Sequence, residues 1–149
     1  MSNRNWNTRI QLVEEFKSST LMLSDNSLGI YFERTSTGSL LVHFKPLNET
    51  FDASVFNENS GVLINFEREL IDEDDIEYAL DVLSLFNKYP QFQLTEPVEI
   101  KLIQQLIALL RGEFQNPAAS YIMFKTLLKA LLLHLIRFQN NDFLKQDLN

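Results

Sequence analysis

The spacing of apolar residues along the chain changes in its second half. After Asp72, apolar residues recur every three or four positions, which is the pattern of an amphipathic helix. The pattern predicts a short helix over 72–87 and two long antiparallel helices over 96–113 and 117–139. The last helix carries leucines and isoleucines outside its main stripe, so polar residues keep only a narrow side. Such a helix needs apolar cover on more than one side, from its own domain or from a second copy of the chain.

The residues at the predicted helix starts support these boundaries. Asp72 is a natural N-cap, and the acidic run that it opens complements the dipole of a helix beginning there. Thr95 can cap the second helix, with Pro97 in its first turn, where a missing N–H costs nothing. Asn116 and Pro117 begin the last helix in the same way.

The first half of the chain has the pattern of short β-strands separated by turn formers. Strands are predicted over 28–34, 39–44 and 62–66. The Ser36-Thr37-Gly38 segment between the first two is typical of a tight hairpin loop. Residues 10–17 fit either a strand or a short helical turn, and the pattern does not decide between them.

These elements predict an α+β fold, in which a short antiparallel β-roll, a partial barrel, precedes a short helix and two long antiparallel helices. The 149 residues suit a single domain. We expect a β-rich part over 1–70 and a helical part over 71–149. Seven apolar residues of the long helices are predicted to form core and homodimer interface together: Leu102, Leu106, Leu110, Phe124, Leu128, Leu131 and Leu135.

Composition removes several classes of function. The chain carries 13 basic and 20 acidic residues, so its formal charge of −7 repels a nucleic-acid backbone, and no direct nucleic-acid binding is expected. It has no cysteine, which excludes disulfides and thiolate chemistry. No window approaches the roughly 20 apolar residues of a membrane span. We therefore expect a soluble, cytoplasmic protein that does not contact a membrane.

Candidate catalytic and metal-binding residues are sparse. His43 and His134 are the two histidines, and nothing in the sequence pairs them as metal ligands. The acidic run that begins at Asp72 lacks the alternating ligands and central glycine of a calcium loop, and a helix start explains it. The chain has neither a glycine-rich phosphate loop nor a recognisable triad. The sequence therefore predicts no enzyme activity, no metal and no cofactor.

Aromatic residues crowd the β half. Phenylalanines on short strands usually form core, but they also line apolar ligand pockets inside small barrels. The residues proposed for such a pocket are Tyr31, Phe32, Phe44, Phe56 and Phe66. At its mouth, the pair Glu33-Arg34, Arg9 or Lys45 can meet a polar group of the ligand.

The second half of the chain resembles the sensor domains of AraC-type transcription regulators. Residues 61–70, a glycine followed by an apolar strand with phenylalanine and a step to leucine, are similar to the last cupin strand of that family. Leu85-Phe86, the helix ending in Arg111-Gly112-Glu113-Phe114 and the leucine-rich run 127–137 resemble its following helices. The resemblance covers 61 to about 139. It implies a cupin-like effector-binding part and helices that pair two subunits.

The chain departs from that family in its short β half, in lacking the His-x-His ligands of metal cupins, and in lacking a helix-turn-helix domain. The sequence thus predicts a regulatory sensor and dimerisation module, a homodimer that binds a small-molecule effector without binding DNA by itself. The alternative is a stand-alone small-ligand-binding or protein-interaction domain, also without catalytic activity.

Overall fold

The computed structural model describes residues 9–14, 26–51, 61–72 and 75–147, with side chains described as far as residue 141 and residue 72 excepted. The elements in chain order are β1 (Ile10–Val13), β2 (Ser27–Arg34), β3 (Leu40–Lys45), β4 (Val62–Glu67), α1 (Glu69–Asp72), α2 (Ile76–Lys88), β5 (Gln91–Leu94), α3 (Pro97–Gln115) and α4 (Tyr121–Asp147). The predicted α+β class, with strands first and two long helices last, is confirmed.

The five strands form one open antiparallel sheet in the order β1-β4-β2-β3-β5. Its register brings Ile30 opposite Phe44 on one side and Ile64 on the other. Residues directly opposite each other on neighbouring strands lie on the same face of a sheet, so these three apolar residues share one face. The predicted hairpin joins β2 to β3, where the Thr35 N–H donates to the Ser39 carbonyl at 3.0 Å. The start of the ambiguous segment 10–17 is a strand, β1, and residues 15–17 lie outside the described residues.

β5 is the element that the apolar pattern did not predict. It follows Pro90 directly and pairs with β3, with Phe92 opposite Val42 and Leu94 opposite Leu40. Its buried Phe92 and Leu94 alternate with exposed glutamines, as expected for a strand with one buried face. The chain of the helical half therefore returns to the sheet before the two long helices begin.

The apolar face of the sheet packs on the helices through aromatic contacts. The Phe86 ring of α2 lies 5.1 Å from the Phe44 ring and 5.8 Å from the Phe66 ring, edge-on to both. Phe44 also stacks on Phe92 at 5.7 Å. Edge-to-face pairs of this kind stabilise by about 1 kcal/mol beyond their burial. This cluster fixes α2 on the middle of the sheet.

α4 lies between α2 and α3. α3 and α4 are antiparallel, because the Phe114 and Phe124 rings meet at 4.5 Å where α3 ends and α4 begins. On the other side, Lys129 Nζ lies 4.9 Å above the Tyr78 ring of α2. A helix flanked on both sides has to be apolar over much of its circumference, which explains the composition of α4.

The seven residues predicted for core and interface mostly belong to the core of the single chain. Leu102 is partly buried, whereas the other six are each less than a tenth exposed: Leu106, Leu110, Phe124, Leu128, Leu131 and Leu135. The apolar side chains that these two helices leave exposed are different ones, among them Ile122 at 76% and Leu109 at 55%.

The starts of α2, α3 and α4 and the end of α4 differ from the sequence prediction. The chain forms a separate short turn, α1, up to Asp72, so the N-cap of α2 is Asp75, whose carboxylate accepts from the Glu77 N–H at 2.8 Å. The N-cap of α3 is Glu96 rather than Thr95, although Pro97 does lie in the first turn. α4 begins at Tyr121, and it continues past Gln139.

None of the helices in the described part of the chain has an apolar stretch long enough to cross a membrane.

Gly61 gives a direct test of the sheet packing. Its φ is +130°, and a Cβ there would lie 2.4 Å from the Tyr31 hydroxyl oxygen. We expect Gly61→Ala to lower the free energy of unfolding by about 3 kcal/mol, because backbone strain and overpacking add. Guanidinium unfolding measures this value.

Gly112→Ala is the matched control. A Cβ at this helical position meets nothing within 4 Å, so the free energy of unfolding should stay unchanged or rise by up to about 1 kcal/mol. Equal effects of the two substitutions would contradict the close approach of Tyr31 to Gly61.

Candidate functional site

A cleft lies where the ends of β2 and β3 face helix α3. It has two adjoining parts, a pocket of about 280 Å³ and a groove of about 620 Å³, and both are lined by Arg34 and Gln104. We call the two together the cationic cleft. The pocket is further lined by Phe32, Leu40, Gly61, Val62, Ile107 and Arg111. The groove is further lined by Thr37, Gly38, Ser39, Gln93, Thr95, Pro97, Ile100 and Lys101.

The period of β2 places Arg34 at the cleft. Residues Ile30, Phe32 and Arg34 lie two apart along the strand, so they share the face that packs on the helices. Ile30 and Phe32 are buried, whereas Arg34, the last residue of the strand, is exposed. The apolar face of the sheet therefore ends in a guanidinium.

The opposite wall of the cleft is one side of α3. Ile100, Gln104, Ile107 and Arg111 are spaced by four, three and four residues, which aligns them along one helix face. The two isoleucines are buried, but Gln104 is exposed and Arg111 partly so. Lys101 stands beside this row and lines the groove. Helix α3 thus presents alternating apolar and polar side chains to the end of the sheet.

The charge of the cleft is opposite to that of the whole chain. Arg34, Lys101 and Arg111 line it, and no aspartate or glutamate is among its lining residues in the described ranges, although the chain has 20 acidic residues. Arg111 is ion-paired with Glu14, which follows β1. Within the described residues, Arg34 and Lys101 form no ion pair. A site of this kind attracts a negatively charged group.

The aromatic residues proposed from sequence separate into different places. Phe32 lines the pocket of the cationic cleft. Phe44 and Phe66 are buried in the core against Phe86, and Tyr31 lies on the opposite face of the sheet with Phe51 and Leu63. Phe56 lies outside the described residues.

The four charged residues proposed for a pocket mouth also separate. Arg34 does stand at the cleft. Arg9 reaches Glu69 at 3.7 Å near the ends of β1 and β4. Glu33 lies on the opposite sheet face from Arg34. Lys45 is buried, and its Nζ donates to the carbonyl oxygens of Ser27 at 2.7 Å, of Pro46 at 3.0 Å and of Glu49 at 3.0 Å. Its ammonium therefore ties the start of β2 to the segment after β3.

Lys101, Gln104 and Arg111 were not predicted from the sequence as ligand-binding residues. One signal was present in the helical pattern. The row Ile100, Gln104, Ile107, Arg111 puts polar residues on a face that would otherwise be apolar. A helix that packs evenly on a sheet keeps such a face apolar, so polar interruptions mark where the packing ends.

A second polar group lies on the other face of the sheet. His43 is buried, its ring is 5.5 Å from the Tyr31 ring, and its Nε2 is 3.5 Å from Glu33 Oε2. Burial lowers the pKa of His43 below its usual value, and the negative charge of Glu33 offsets part of that effect. The neutral imidazole is therefore the form that the folded chain favours.

Groups of three or more histidine, aspartate or glutamate residues with the spacing of a metal site are absent from the described part of the chain. No family model, no curated protein and no solved structure matches the chain.

His43 predicts a pH dependence of stability. Because its pKa is lower in the folded than in the unfolded chain, the unfolded chain binds the proton first as the pH falls. The stability from neutral His43 is full above about 6.5 and is lost as the pH falls through 6.5 towards the lowered folded pKa. Guanidinium unfolding at a series of pH values from about 7 to about 5 measures the loss.

Two variants test whether this loss of stability comes from His43. His43→Gln removes the titrating group, so its free energy of unfolding should depend less on pH over this interval than that of the unsubstituted chain. Glu33→Gln removes the carboxylate that favours the protonated imidazole, so it should increase the loss. Parallel pH profiles for all three chains would show that His43 does not titrate differently on folding.

Proposed function

We propose that this chain is a non-catalytic regulatory module, in which the cationic cleft binds a small-molecule effector and the helical layer pairs two copies of the chain. The observation that carries the proposal is the cleft itself, an apolar pocket and an adjoining groove lined by Arg34, Lys101 and Arg111 in a strongly acidic chain. In the part of the chain that the structure describes, Arg34 and Lys101 form no ion pair. The resemblance of residues 61–139 to AraC-type sensor domains points to the same class of function.

The dimensions and lining of the cleft support ligand binding. Small-molecule sites are mostly apolar concavities of roughly 300–1,000 Å³ with a few convergent polar groups. The pocket, at about 280 Å³, has Phe32, Leu40 and Ile107 as apolar walls and Arg34 with Gln104 at the junction with the groove. These features favour a small ligand with one apolar part and one polar part.

The position of the cleft supports regulation. One wall belongs to the sheet and the other to α3, which packs on α4. A ligand that contacts both walls stabilises one arrangement of α3 relative to the sheet, and any other arrangement binds it less well. This differential affinity is the requirement for a ligand to shift a conformational equilibrium. The outer surface of α4 can report such a shift to a second copy.

The exposed apolar residues of α4 are the candidates for pairing. Ile122 is 76% exposed and Leu133 is 46% exposed, and their separation of eleven residues, about three turns, puts them on the same side of the helix. Met123, 46% exposed, lies beside Ile122. Exposed apolar residues that share a face are typical of association surfaces.

A second candidate function is a monomeric small-ligand-binding module. It is favoured by the burial of six of the seven proposed interface residues inside the single chain, which leaves less apolar surface for pairing than the sequence implied. The cleft would then act without a second copy, and the helices would serve as its scaffold.

Ligand binding in the cleft is tested by blocking it. Gln104→Trp places an indole at the junction of the pocket and the groove, on an exposed helix position that should tolerate it. In a thermal-shift screen of small organic acids, alcohols and amines, hits should raise the Tm of the unsubstituted chain by mass action and lose this effect in the variant.

Gln105→Trp is the matched control for this screen, because Gln105 is the adjacent exposed position and does not line the cleft. It should leave the thermal shifts intact. Hits that respond equally to both substitutions, or to neither, would place binding elsewhere on the molecule.

Pairing is tested by solution mass. Light scattering on a sizing column, over about a hundredfold range of concentration, should give a dimer for the unsubstituted chain and a monomer for the double variant Ile122→Lys, Leu133→Lys. Both positions are exposed, so the chain should stay folded. Val98→Lys is the control. Val98 lies in the first turn of α3 and is 80% exposed, so this variant should remain dimeric. A monomer at every concentration would select the second candidate function.

A further inference from the structure

We propose that the effector of the cationic cleft is a monocarboxylate with a compact apolar body, whose carboxylate binds Arg34 and competes with Glu14 for Arg111. The proposal rests on the proposed function, in that it takes the cleft to be the ligand site, and it adds the chemical class of the ligand and an internal competitor for it.

The apolar body follows from the walls of the pocket. Phe32 and Leu40 are each 2% exposed and Ile107 is 5% exposed, so their side chains form a closed apolar wall behind the opening. Burying the apolar surface of a ligand against this wall is favourable because it removes that surface from water. A volume of about 280 Å³ limits the body to a small ring or a short branched chain.

The charge balance of the pocket fits a single negative charge. Arg34 and Arg111 line it, and the Glu14 carboxylate already pairs with Arg111. Among the described residues, the two guanidiniums and the one carboxylate leave one uncompensated positive charge. A guanidinium binds a carboxylate in a two-pronged, charge-assisted arrangement, which fixes orientation as well as charge. A dianion such as a phosphate ester would need a further cation at the same point.

Lys101 does not supply that cation to the pocket. It lines the groove, on the other side of the Arg34 and Gln104 junction, together with Thr37 and Ser39. These groups surround the place where the polar end of a ligand leaves the pocket. They can hold water or a further uncharged polar group, while the carboxylate stays at Arg34.

Glu14 occupies the position of a competing anion. The Glu14 and Arg111 side chains are 44% and 38% exposed, so solvent screens their ion pair. Ion pairs of such exposure contribute little to stability. A ligand carboxylate in the pocket can therefore take over part of the Arg111 charge at little cost. Because Glu14 follows β1 and Arg111 belongs to α3, this exchange would release a link between the sheet edge and the helix.

The experiment uses matched probes. Cyclohexanecarboxylate carries the proposed charge and body, cyclohexanecarboxamide keeps the body without the charge, acetate keeps the charge without the body, and cyclohexylphosphonate changes the anion. Titration calorimetry of the unsubstituted chain at pH 8, where the ligand carboxylate is ionised, should give the tightest Kd for cyclohexanecarboxylate.

Two cleft variants test the assigned residues. Arg34→Gln should weaken cyclohexanecarboxylate binding by about tenfold or more and leave carboxamide binding unchanged, because it removes only the charged partner. Glu14→Gln should strengthen carboxylate binding by about twofold to fivefold, because it removes the competitor for Arg111. Arg137→Gln, an exposed arginine on α4 outside the cleft lining, controls for net charge and should change neither.

The outcomes separate this proposal from the proposed function. If the carboxamide binds as tightly as the carboxylate and Gln104→Trp still abolishes both, the cleft is the ligand site but the monocarboxylate assignment is wrong. Tighter binding of the phosphonate overturns the assignment in the same way. If Glu14→Gln weakens carboxylate binding, Glu14 is not a competitor. If no probe binds and the wider thermal-shift screen gives no hit that Gln104→Trp removes, the proposed function fails as well.

Discussion

The packing of Phe86 between Phe44 and Phe66 is the contact on which the rest of the arrangement depends. It fixes α2 on the sheet, and the chain that leaves α2 is held at once, because the Phe44 N–H donates to the Pro90 carbonyl at 2.9 Å. β5 then pairs along the edge of β3, and α3 begins three residues after β5 ends. The start of α3, and with it one wall of the cleft, is set by a core contact far from the cleft.

The cleft stays open because its two walls end their apolar surfaces at the same place. The row of buried residues on the helix-facing side of β2 ends at Arg34. The side of α3 that faces it carries Gln104 and Arg111, at positions where apolar residues would close the gap. Drawing these groups together out of water would cost several kcal/mol without compensating partners. The sequence thus maintains a concavity by placing polar groups on both sides of it, and a ligand that pairs with them removes the cost.

The sequence predicted those parts of the fold that local patterns determine. Most strands and the two long helices follow from apolar spacing, since that spacing decides which face is buried. β5 was missed because four residues after a proline carry too short a pattern. The sequence could not separate core residues from interface residues, because both kinds of packing require the same stripe of apolar residues along a helix. Leu128 belongs to such a stripe and is buried within the single chain. The sequence predicted a pocket inside a small barrel, and of the residues proposed for it only Phe32 and Arg34 line the cleft. The other wall of the cleft is about 70 residues away in the chain, and no local pattern brings Arg111 to β2.

The surroundings of each cation decide whether it can serve a ligand. Lys45 is 1% exposed, and its ammonium donates to three backbone carbonyls, so exchanging them for a ligand would break the connection between β2 and the segment after β3. Arg34 and Arg111 carry the same charge at the solvent boundary, one without an ion pair in the described ranges and one in a half-exposed pair. A charge can exchange partners only where water already competes for it. The buried ammonium of Lys45 therefore stabilises the fold, whereas the guanidiniums of Arg34 and Arg111 are exposed enough to bind an anion.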